Sequence, residues 1–492
     1  MTVVWTMDMR GRGEKQKEDK DRNMISPLIF RRYDIRGIYN RDISAEVFLK
    51  IGLGLGALGH DRGWKRVVVG CDIRNTSGAL ANALTAGLLA SGLDVTDIGV
   101  STFGICAFAG WKLKKDIVAF ITASHLPPEW NGLKLYYGEG IAFSDDDMRT
   151  LRDTVLSASS DGSSHWEEVG DHHEISMKEE YVEHLASLFD IHYDGKVILD
   201  CGNGCMGTVA LDVMQKAGVE HVDVLFPNPD CRFPNRPAEP TAENLSALRD
   251  SVLRENADFG AAFDGDGDRV VFVDDRGRVL SAEQAGVVVA REILRSVGET
   301  DAKDAVVLAN VECSMLIDAE IGRLAVVRRI PVGHTFLTRE ASRFKAVLGI
   351  ESSGHFVIPE IFPFDDAMLM PLKMADVLAD TDKKLSEIID ELPKFHKHRE
   401  NIKCPDEIKF EVMRTLEERL TAEFGNVELT DGIRIVIGDG SEQQGWVLIR
   451  ASNTEPLIRI TCEARSREDM LKQIKEFKKR TEDVINALMS GI

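Results

Sequence analysis

Short apolar segments alternate with helix-length amphipathic segments over most of this 492-residue chain. Apolar strands separated by helices are typical of parallel α/β units. The pattern predicts buried strands over 66–71, 116–122, 196–200, 259–263, 270–273, 305–309 and 346–349. It predicts helices over 78–91, 208–217, 245–255, 283–297 and 368–378. The chain is too long for one core, and we expect about three or four domains.

The alternation ends near residue 395. Beyond it the sequence predicts a helix over 410–424, three strands over 433–437, 446–449 and 456–463, and a closing helix over 466–489. Strands followed by helices, without strict alternation, indicate an α+β domain.

Three of the predicted strands end in unusually polar loops, which cover 123–134, 264–269 and 350–355. Sites in open α/β sheets gather at the carboxyl ends of strands. We therefore expect three domains of similar architecture to present these loops to a shared cleft.

The loop after the strand 259–263 alternates aspartate with glycine, giving Asp264, Asp266 and Asp268. Carboxylates this close repel one another, and a hard divalent cation that accepts one oxygen from each relieves the repulsion. A solvated acidic turn is the alternative, but the flanking strands favour a metal site. An EF-hand is excluded, because its loop needs Gly and Glu where this one has Arg269 and Asp275.

The loop 123–134 contains a candidate nucleophile. Ser124 follows a predicted strand, stands beside His125 and shares its loop with Lys134. A serine with cationic neighbours could accept a phosphoryl group. The alternative is a serine that only closes the turn.

Two further loops offer groups suited to sugars and phosphates. Hydrogen-bond donors suited to phosphate cluster between two C-terminal strands, at Arg450, Ser452, Asn453 and Thr454. The alternative is a hydrogen-bonded hairpin turn. The loop 350–355 supplies Glu351 and Ser353 for sugar hydroxyls, and His355 for proton transfer.

Composition excludes several classes of partner. The formal net charge is −21, which argues against nucleic acid and anionic membrane surfaces as partners. No apolar stretch has the length of a membrane helix, and residues 1–23 have no signal-peptide character. Most of the eight cysteines lie in or beside apolar runs, as reduced core residues do. We expect a cytoplasmic protein whose residues 11–23 are disordered and whose folded part begins near Met24.

Together these loops resemble those of the α-D-phosphohexomutase superfamily, the phosphoglucomutases and phosphomannomutases. The resemblance runs from about residue 26 to the C-terminus. The segment 30–37, Phe-Arg-Arg-Tyr-Asp-Ile-Arg-Gly, is similar to the family's N-terminal signature. The segments 122–125, 264–269, 351–355 and 450–456 are similar to its phosphoserine, metal, sugar and phosphate loops, in that order.

The resemblance implies an α/β fold of four domains in a heart-shaped arrangement around a central cleft. Three have similar mixed α/β cores, and the smaller C-terminal domain is α+β. We place the domains at 25–172, 173–276, 277–394 and 395–492, after an N-terminal extension over 1–24.

The resemblance also implies a mechanism and assigns residues to it. Ser124 would carry a phosphoryl group, and one Mg²⁺ would bind Ser124, Asp264, Asp266 and Asp268. The substrate, a phosphosugar, would be converted between its 1- and 6-phosphates through a hexose 1,6-bisphosphate. Catalytic candidates are Ser124, Lys134, His355, Arg36 and His125. Substrate would contact Tyr33, Arg269, His334, Glu351, Ser353, Arg450, Ser452, Asn453 and Thr454.

Two positions depart from the family pattern. Leu126 stands where relatives usually have Asn, and Glu312 where bacterial dual-specificity enzymes have a substrate-facing Lys. The charge reversal at Glu312 puts a direct sugar contact there in doubt. The segments 333–334 and 364–366 favour mannose and glucose phosphates as substrates. Phosphoglucosamine mutase, a silent phosphosugar-binding paralogue and a metal-dependent phosphatase remain alternatives, and monomer and homo-oligomer both stay open.

Overall fold

The computed structural model describes residues 25–157, 165–438, 443–452 and 455–490. They form four sheets with flanking helices, which confirms the predicted four-domain α/β fold class. The predicted N-terminal extension, including the disorder expected over 11–23, lies outside the described residues. Within the described ranges, no helix has the length and apolar character needed to cross a membrane.

The first sheet has six strands: β1 (Ile35–Ile38), β2 (Arg66–Cys71), β3 (Asp94–Val100), β4 (Ile117–Ile121), β5 (Trp130–Tyr137) and β6 (His172–Glu174). Their order is β1-β5-β4-β2-β3-β6, and only β1–β5 and β4–β5 pair antiparallel. The helices of this part are Ala45–Arg62, Ser77–Ala90, Phe103–Lys112 and Asp145–Ser157.

The predicted loop 123–134 was too long. Strand β5 begins at Trp130, so Lys134 lies in mid-strand opposite Phe120 rather than in a loop. The residues Asn131 to Tyr136 are all buried, so both faces of this strand are covered. Such a strand lacks the alternation that a sequence pattern would reveal.

The second sheet contains β7 (Tyr193–Asp200), β8 (Val219–Leu225), β9 (Phe259–Phe263) and β10 (Val270–Asp274), in the order β10-β9-β7-β8. Its helices are Lys178–Leu188, Ala210–Lys216 and Ser246–Glu255. The third sheet contains β11 (Val306–Asn310), β12 (Val326–Ile330), β13 (Leu348–Ile350) and β14 (Phe356–Val357), in the order β12-β11-β13-β14. Its helices are Ala282–Val297, Glu299–Ala302, Leu316–Ile321, His334–Phe344, Leu369–Ala379 and Leu385–Asp390.

The three sheets share one arrangement at the place where the polar loops occur. In each, an inner strand (β4, β9 or β13) runs parallel to its central neighbour and turns back into an antiparallel strand (β5, β10 or β14). The loop 264–269 and the loop 350–355 join two of these pairs, and the segment 122–129 joins the third. The predicted repetition of architecture is therefore present.

The fourth sheet is antiparallel throughout, in the order β15-β19-β18-β17-β16. Its strands are β15 (His396–Lys403), β16 (Val427–Glu428), β17 (Ile433–Gly438), β18 (Gln443–Ala451) and β19 (Leu457–Ala464), and its helices are Asp406–Glu423 and Arg467–Ser490. The first helix starts a turn earlier than predicted, directly after Pro405 and with Asp406 and Glu407 in its first turn, where they favour the helix dipole.

The apolar core has two main parts relevant to the site. One cluster of buried side chains runs continuously through residues of the first three domains, from Val68 to Leu392. The fourth domain has its own cluster, from Ile402 to Ile485. A small cluster of Val311, Met315, Trp446 and Leu448 joins the fourth domain to the third.

Candidate functional site

Ser124 lies directly after β4 in an unusual backbone conformation. Its φ is +50°, in the left-handed region that residues other than glycine rarely adopt. Its amide donates to Thr122 Oγ1 at 2.8 Å, and its hydroxyl donates to Asp264 Oδ2 at 2.7 Å. The side chain is buried. Strained backbone of this kind is concentrated at functional sites, and here it turns the hydroxyl towards a carboxylate of the second domain.

Arg74 holds the serine loop in shape. All five of its side-chain N–H groups are used: one donates to Asp72 Oδ2 at 3.0 Å. The others donate to the carbonyls of Ser124, Leu126, Pro127 and Trp130 at 2.6–3.1 Å. The loop therefore wraps around one buried guanidinium. Leu126 takes part through its carbonyl, so this contact does not require the Asn usual at that position.

The aspartate loop is folded around one of its own carboxylates. Asp264 Oδ1 accepts from the amides of Gly267, Asp268 and Arg269 at 3.0, 3.1 and 3.2 Å. A Cβ on Gly265 would come within 2.5 Å of the Ser124 carbonyl oxygen. Glycine at that position thus lets the aspartate loop approach the serine loop.

The three aspartates fit a divalent metal site. One oxygen from each of Asp264, Asp266 and Asp268 lies within 4.8 Å of the others, and all three side chains are buried. Asp266 Oδ1 and Asp268 Oδ1 accept no hydrogen bond from any described residue. Burial, followed by the neighbouring Asp268 and Asp266, raises the pKa of Asp264 well above its usual range. Hard oxygen ligands with unused lone pairs suit Mg²⁺.

Lys134 supplies a positive charge beside the aspartates. Its ammonium donates to Asp266 Oδ2 at 2.9 Å and also to Asp268 Oδ2. Burial alone would lower the pKa of Lys134, but these two carboxylates outweigh it and raise the pKa. The same ammonium lowers the pKa of Asp268 well below its usual range, against the effect of burial.

A network of hydrogen bonds connects the aspartate loop with the loop 350–355. Arg269 Nε donates to His355 Nε2 at 2.9 Å, and His355 Nδ1 lies 2.9 Å from Asp365 Oδ2. The Tyr136 hydroxyl lies 2.7 Å from His334 Nδ1 and 3.0 Å from Asp365 Oδ1. His355 therefore contacts the buried Asp365 directly, and His334 is connected to Asp365 through the Tyr136 hydroxyl.

His125 and Arg36 flank Ser124. His125 Nδ1 lies 3.2 Å from Ser124 Oγ. Burial, with Arg269 and Arg36 nearby, lowers the pKa of His125 to about 2, so the imidazole is neutral. Arg36 donates to the carbonyl of Thr122 and, at 2.7 Å, to Asp34 Oδ2.

The predicted sugar-binding residues meet at the start of the helix His334–Phe344. Glu351 Oε2 accepts from the amide of Gly333 at 3.1 Å, and Ser353 Oγ donates to Glu351 Oε1 at 2.7 Å. The Tyr33 hydroxyl donates to the carbonyl of Val332 at 3.2 Å.

The predicted phosphate loop reaches this area from the fourth domain. Arg450 Nη2 lies 2.8 Å from Asp431 Oδ2, which also accepts from the amide of Val332 at 3.0 Å. Ser452 is buried. Asn453 and Thr454 lie outside the described residues.

Several residues of this network were missed from the sequence. They are Asp72, Arg74, Thr122, Asp365 and Asp431. Asp72 and Arg74 follow β2 directly, so the rule that sites lie at the carboxyl ends of strands could have found them. Thr122 and Asp365 lie in segments already noted, 122–125 and 364–366, but no role was assigned to their side chains. Asp431 follows no predicted strand and carried no such signal.

Comparison with known proteins gives a consistent result. Models of phosphoglucomutase/phosphomannomutase match alpha/beta/alpha domain I over 27–161, domain II over 179–277, domain III over 281–395 and the C-terminal domain over 400–480. A probable phosphoglucosamine mutase of Methanopyrus kandleri is 36% identical over 444 residues, covering 88% of this chain and 93% of that protein. A phosphoglucomutase/phosphomannomutase of Thermococcus kodakarensis is 33% identical over 448 residues, covering 89% and 95%.

The fold has a close counterpart among solved structures. A phosphoglucomutase/phosphomannomutase family protein of Burkholderia thailandensis superposes with a TM-score of 0.83 at 26% identity. The match covers 94% of this chain and 98% of that one.

Proposed function

Because the chain belongs to the phosphoglucomutase/phosphomannomutase family of isomerases, we propose that it interconverts hexose 1-phosphates and hexose 6-phosphates through a phosphoserine at Ser124. One observation supports this most directly: the Ser124 hydroxyl donates to Asp264 at 2.7 Å, across a domain boundary and beside three buried aspartates. A phosphoryl group on Ser124 would lie against that cluster.

The residues around Ser124 fit phosphoryl transfer. Asp264, Asp266 and Asp268 would hold Mg²⁺, which when bound would neutralise charge on the phosphoryl group. Arg269 and Lys134 add fixed positive charge on the same side. The bond from phosphorus to Ser124 Oγ breaks as a bond to a sugar hydroxyl oxygen forms, and the proton of that hydroxyl ends on Ser124 Oγ. His125 Nδ1, 3.2 Å from Ser124 Oγ, is neutral and can accept a hydrogen bond there, although its lowered pKa makes it a weak base.

The remaining predicted residues would hold the substrate. Arg450 and Ser452, with Asn453 and Thr454, would bind the phosphate that is not reacting. Glu351 and Ser353 would bind sugar hydroxyls, and Tyr33 and His334 would line the same surface. Transfer to the bound sugar gives a hexose 1,6-bisphosphate, which must reorient within the site before it returns a phosphoryl group to Ser124.

The identity of the hexose has two candidates. The segments 333–334 and 364–366 favour glucose and mannose phosphates. The name of the Methanopyrus kandleri relative favours glucosamine phosphate. Coupled assays with the three 1-phosphates distinguish them, and at least a tenfold preference in kcat/KM for glucosamine 1-phosphate would decide for the second candidate.

Intact-mass measurement tests the chemistry. The purified protein is incubated with Mg²⁺ and a hexose 1,6-bisphosphate, and we expect one added phosphoryl group in the parent and none in Ser124→Ala. Ser101→Ala is the matched control, because the hydroxyl of this buried serine of the first domain donates to the neighbouring Thr102 carbonyl rather than to a residue of the site. Full turnover by Ser124→Ala would refute the proposal. Stoichiometric release of free phosphate would indicate a phosphatase instead, and absence of both reactions a silent binding protein.

A further inference from the structure

Glu312 connects the third domain with three cations of the fourth. It follows β11, and its carboxylate accepts from Arg450 Nη1 at 2.9 Å and from Arg399 Nη2 at 2.8 Å. Its backbone carbonyl accepts from Lys397 Nζ at 2.6 Å. The side chain is only 9% exposed. Glu312 is thus a buried anion in contact with the arginine of the predicted phosphate loop.

The guanidinium of Arg450 is shared between two carboxylates. Glu312 binds one terminal nitrogen, and Asp431 binds the other at 2.8 Å. A phosphate recognised by arginine uses the same planar N–H groups. A phosphorylated ligand and Glu312 would therefore compete for Arg450.

The contact between the third and fourth domains does not depend on Glu312. Glu463 of β19 accepts from Ser314 Oγ at 2.6 Å and from the amide of Met315 at 2.7 Å. The apolar cluster that contains Met315 and Trp446 adds packing at the same boundary. Removing the charge of Glu312 should therefore leave the domains associated and the protein folded.

We infer that Glu312 is an internal counter-anion that occupies Arg450 and that a phosphorylated ligand must displace before it binds there. The inference rests on the proposed role of Arg450 in phosphate binding. Only the ligand-free state contains the Glu312–Arg450 pair. The free energy with which this pair stabilises that state therefore weakens ligand binding by the same amount. Glu312 would thereby set how tightly the phosphate loop binds its ligand.

The first test is the uncharged variant Glu312→Gln. Binding of glucose 6-phosphate is measured by titration calorimetry on the full chain, and we expect a Kd at least about fivefold lower than that of the parent, the lower end of typical coupling between sites. Glu340→Gln is the matched control, because Glu340 is also a buried glutamate of the third domain paired with an arginine, Arg343. The Kd of this control should equal that of the parent.

Arg399 allows a second test with the opposite sign. Without Arg399, the Glu312 carboxylate would have Arg450 as its one remaining guanidinium partner and would pair with it more strongly. Because the ligand must displace that pair, Arg399→Gln should weaken glucose 6-phosphate binding. In the Glu312→Gln background the same change should have no effect, if Arg399 acts only through Glu312. An equal loss in both backgrounds would show that Arg399 contacts the ligand itself and would overturn this part of the inference.

Arg450→Gln separates the inference from the proposed function. If Arg450→Gln binds glucose 6-phosphate as tightly as the parent, the proposed role of the phosphate loop fails. If Arg450→Gln weakens binding but Glu312→Gln has an unchanged or higher Kd, Arg450 binds phosphate and the counter-anion inference fails. If Arg450→Gln weakens binding, Glu312→Gln tightens it, and the two together behave as Arg450→Gln alone, the inference holds.

Discussion

Replacement of Arg74 should reveal how far the serine loop depends on one buried guanidinium. Arg74 and Asp72 are 1% and 3% exposed at their side chains, and Arg74 also binds four loop carbonyls. Arg74→Met would leave the buried Asp72 carboxylate with the hydroxyl donors Ser77 and Thr122 but without its cationic partner, which costs about 3–5 kcal/mol of folding free energy. Arg74→Lys keeps the charge but has three donors where arginine has five. Two carbonyls would then lack a donor, at a cost of about 2–6 kcal/mol.

The same replacements should affect catalysis more than substrate binding. A displacement of Ser124 by about 1 Å costs roughly 100-fold in rate, so we expect a fall of that order in kcat for Arg74→Lys. KM should change little, because Arg74 makes no contact with the predicted phosphate and sugar loops among the described residues.

Urea unfolding and coupled turnover assays measure both effects. The first unfolding transition is compared between variants, since a four-domain chain need not unfold in one step. Arg149→Lys serves as the control, because Arg149 is exposed and pairs with Asp146 on the surface of the same domain, where such a pair contributes little. Stability of Arg74→Met within about 1 kcal/mol of the parent, or parental kcat in Arg74→Lys, would refute the reasoning.

Three further predictions concern groups outside the serine loop. Lys134→Met should lower the melting temperature without Mg²⁺ by at least about 4 °C, because no positive charge would then offset the repulsion between Asp266 and Asp268. Added Mg²⁺ should restore most of the lost stability. Identical melting temperatures of variant and parent would contradict this prediction. Burial raises the pKa of Asp366 to about 6. The folded state therefore holds a proton that the unfolded state has lost between about pH 4 and pH 6, and stability falls as pH rises through this range. The free energy of unfolding of Asp366→Asn should lack this fall, so relative to the parent it should rise by about 3 kcal/mol between pH 4 and pH 7. Urea unfolding at each pH measures both proteins, and the same dependence of stability on pH in variant and parent would contradict the prediction. Finally, a thiol reagent should label Cys231 first in the native protein, because the other seven cysteines are buried, and peptide mapping after partial labelling checks this.

The sequence was sufficient where chemistry and local pattern coincide. The aspartate loop was predictable because its charges are contiguous and the strands on either side, Phe259–Phe263 and Val270–Asp274, are short and apolar. The start and end of β2 and β9 were predicted without error, because both strands are short, mostly apolar segments. The position of Ser124 just after a strand was also predicted, and its role as the nucleophile stays a prediction.

The sequence was insufficient where a residue acts through the backbone of another segment. Arg74 binds carbonyls about fifty positions later in the chain, and carbonyls leave no trace in a sequence. The helix Ala45–Arg62 was missed because its glycines lower helix propensity. Those glycines serve a tertiary contact instead: a Cβ on Gly52 would lie 2.4 Å from the Leu84 carbonyl oxygen, and one on Gly87 would lie 2.3 Å from that of Leu49.

The repeated strand–loop–strand unit has a consequence for how this protein can lose or change activity. The proposed nucleophile, the proposed metal ligands and the proposed sugar-binding carboxylate lie in loops of three different sheets, so no fragment with fewer than three domains would contain all of them. A partly folded or truncated chain would therefore be inert rather than a source of uncontrolled hydrolysis. Each loop can also vary without altering the sheet that carries the next, which would allow substrate preference to change while the proposed nucleophile and cation site stay constant.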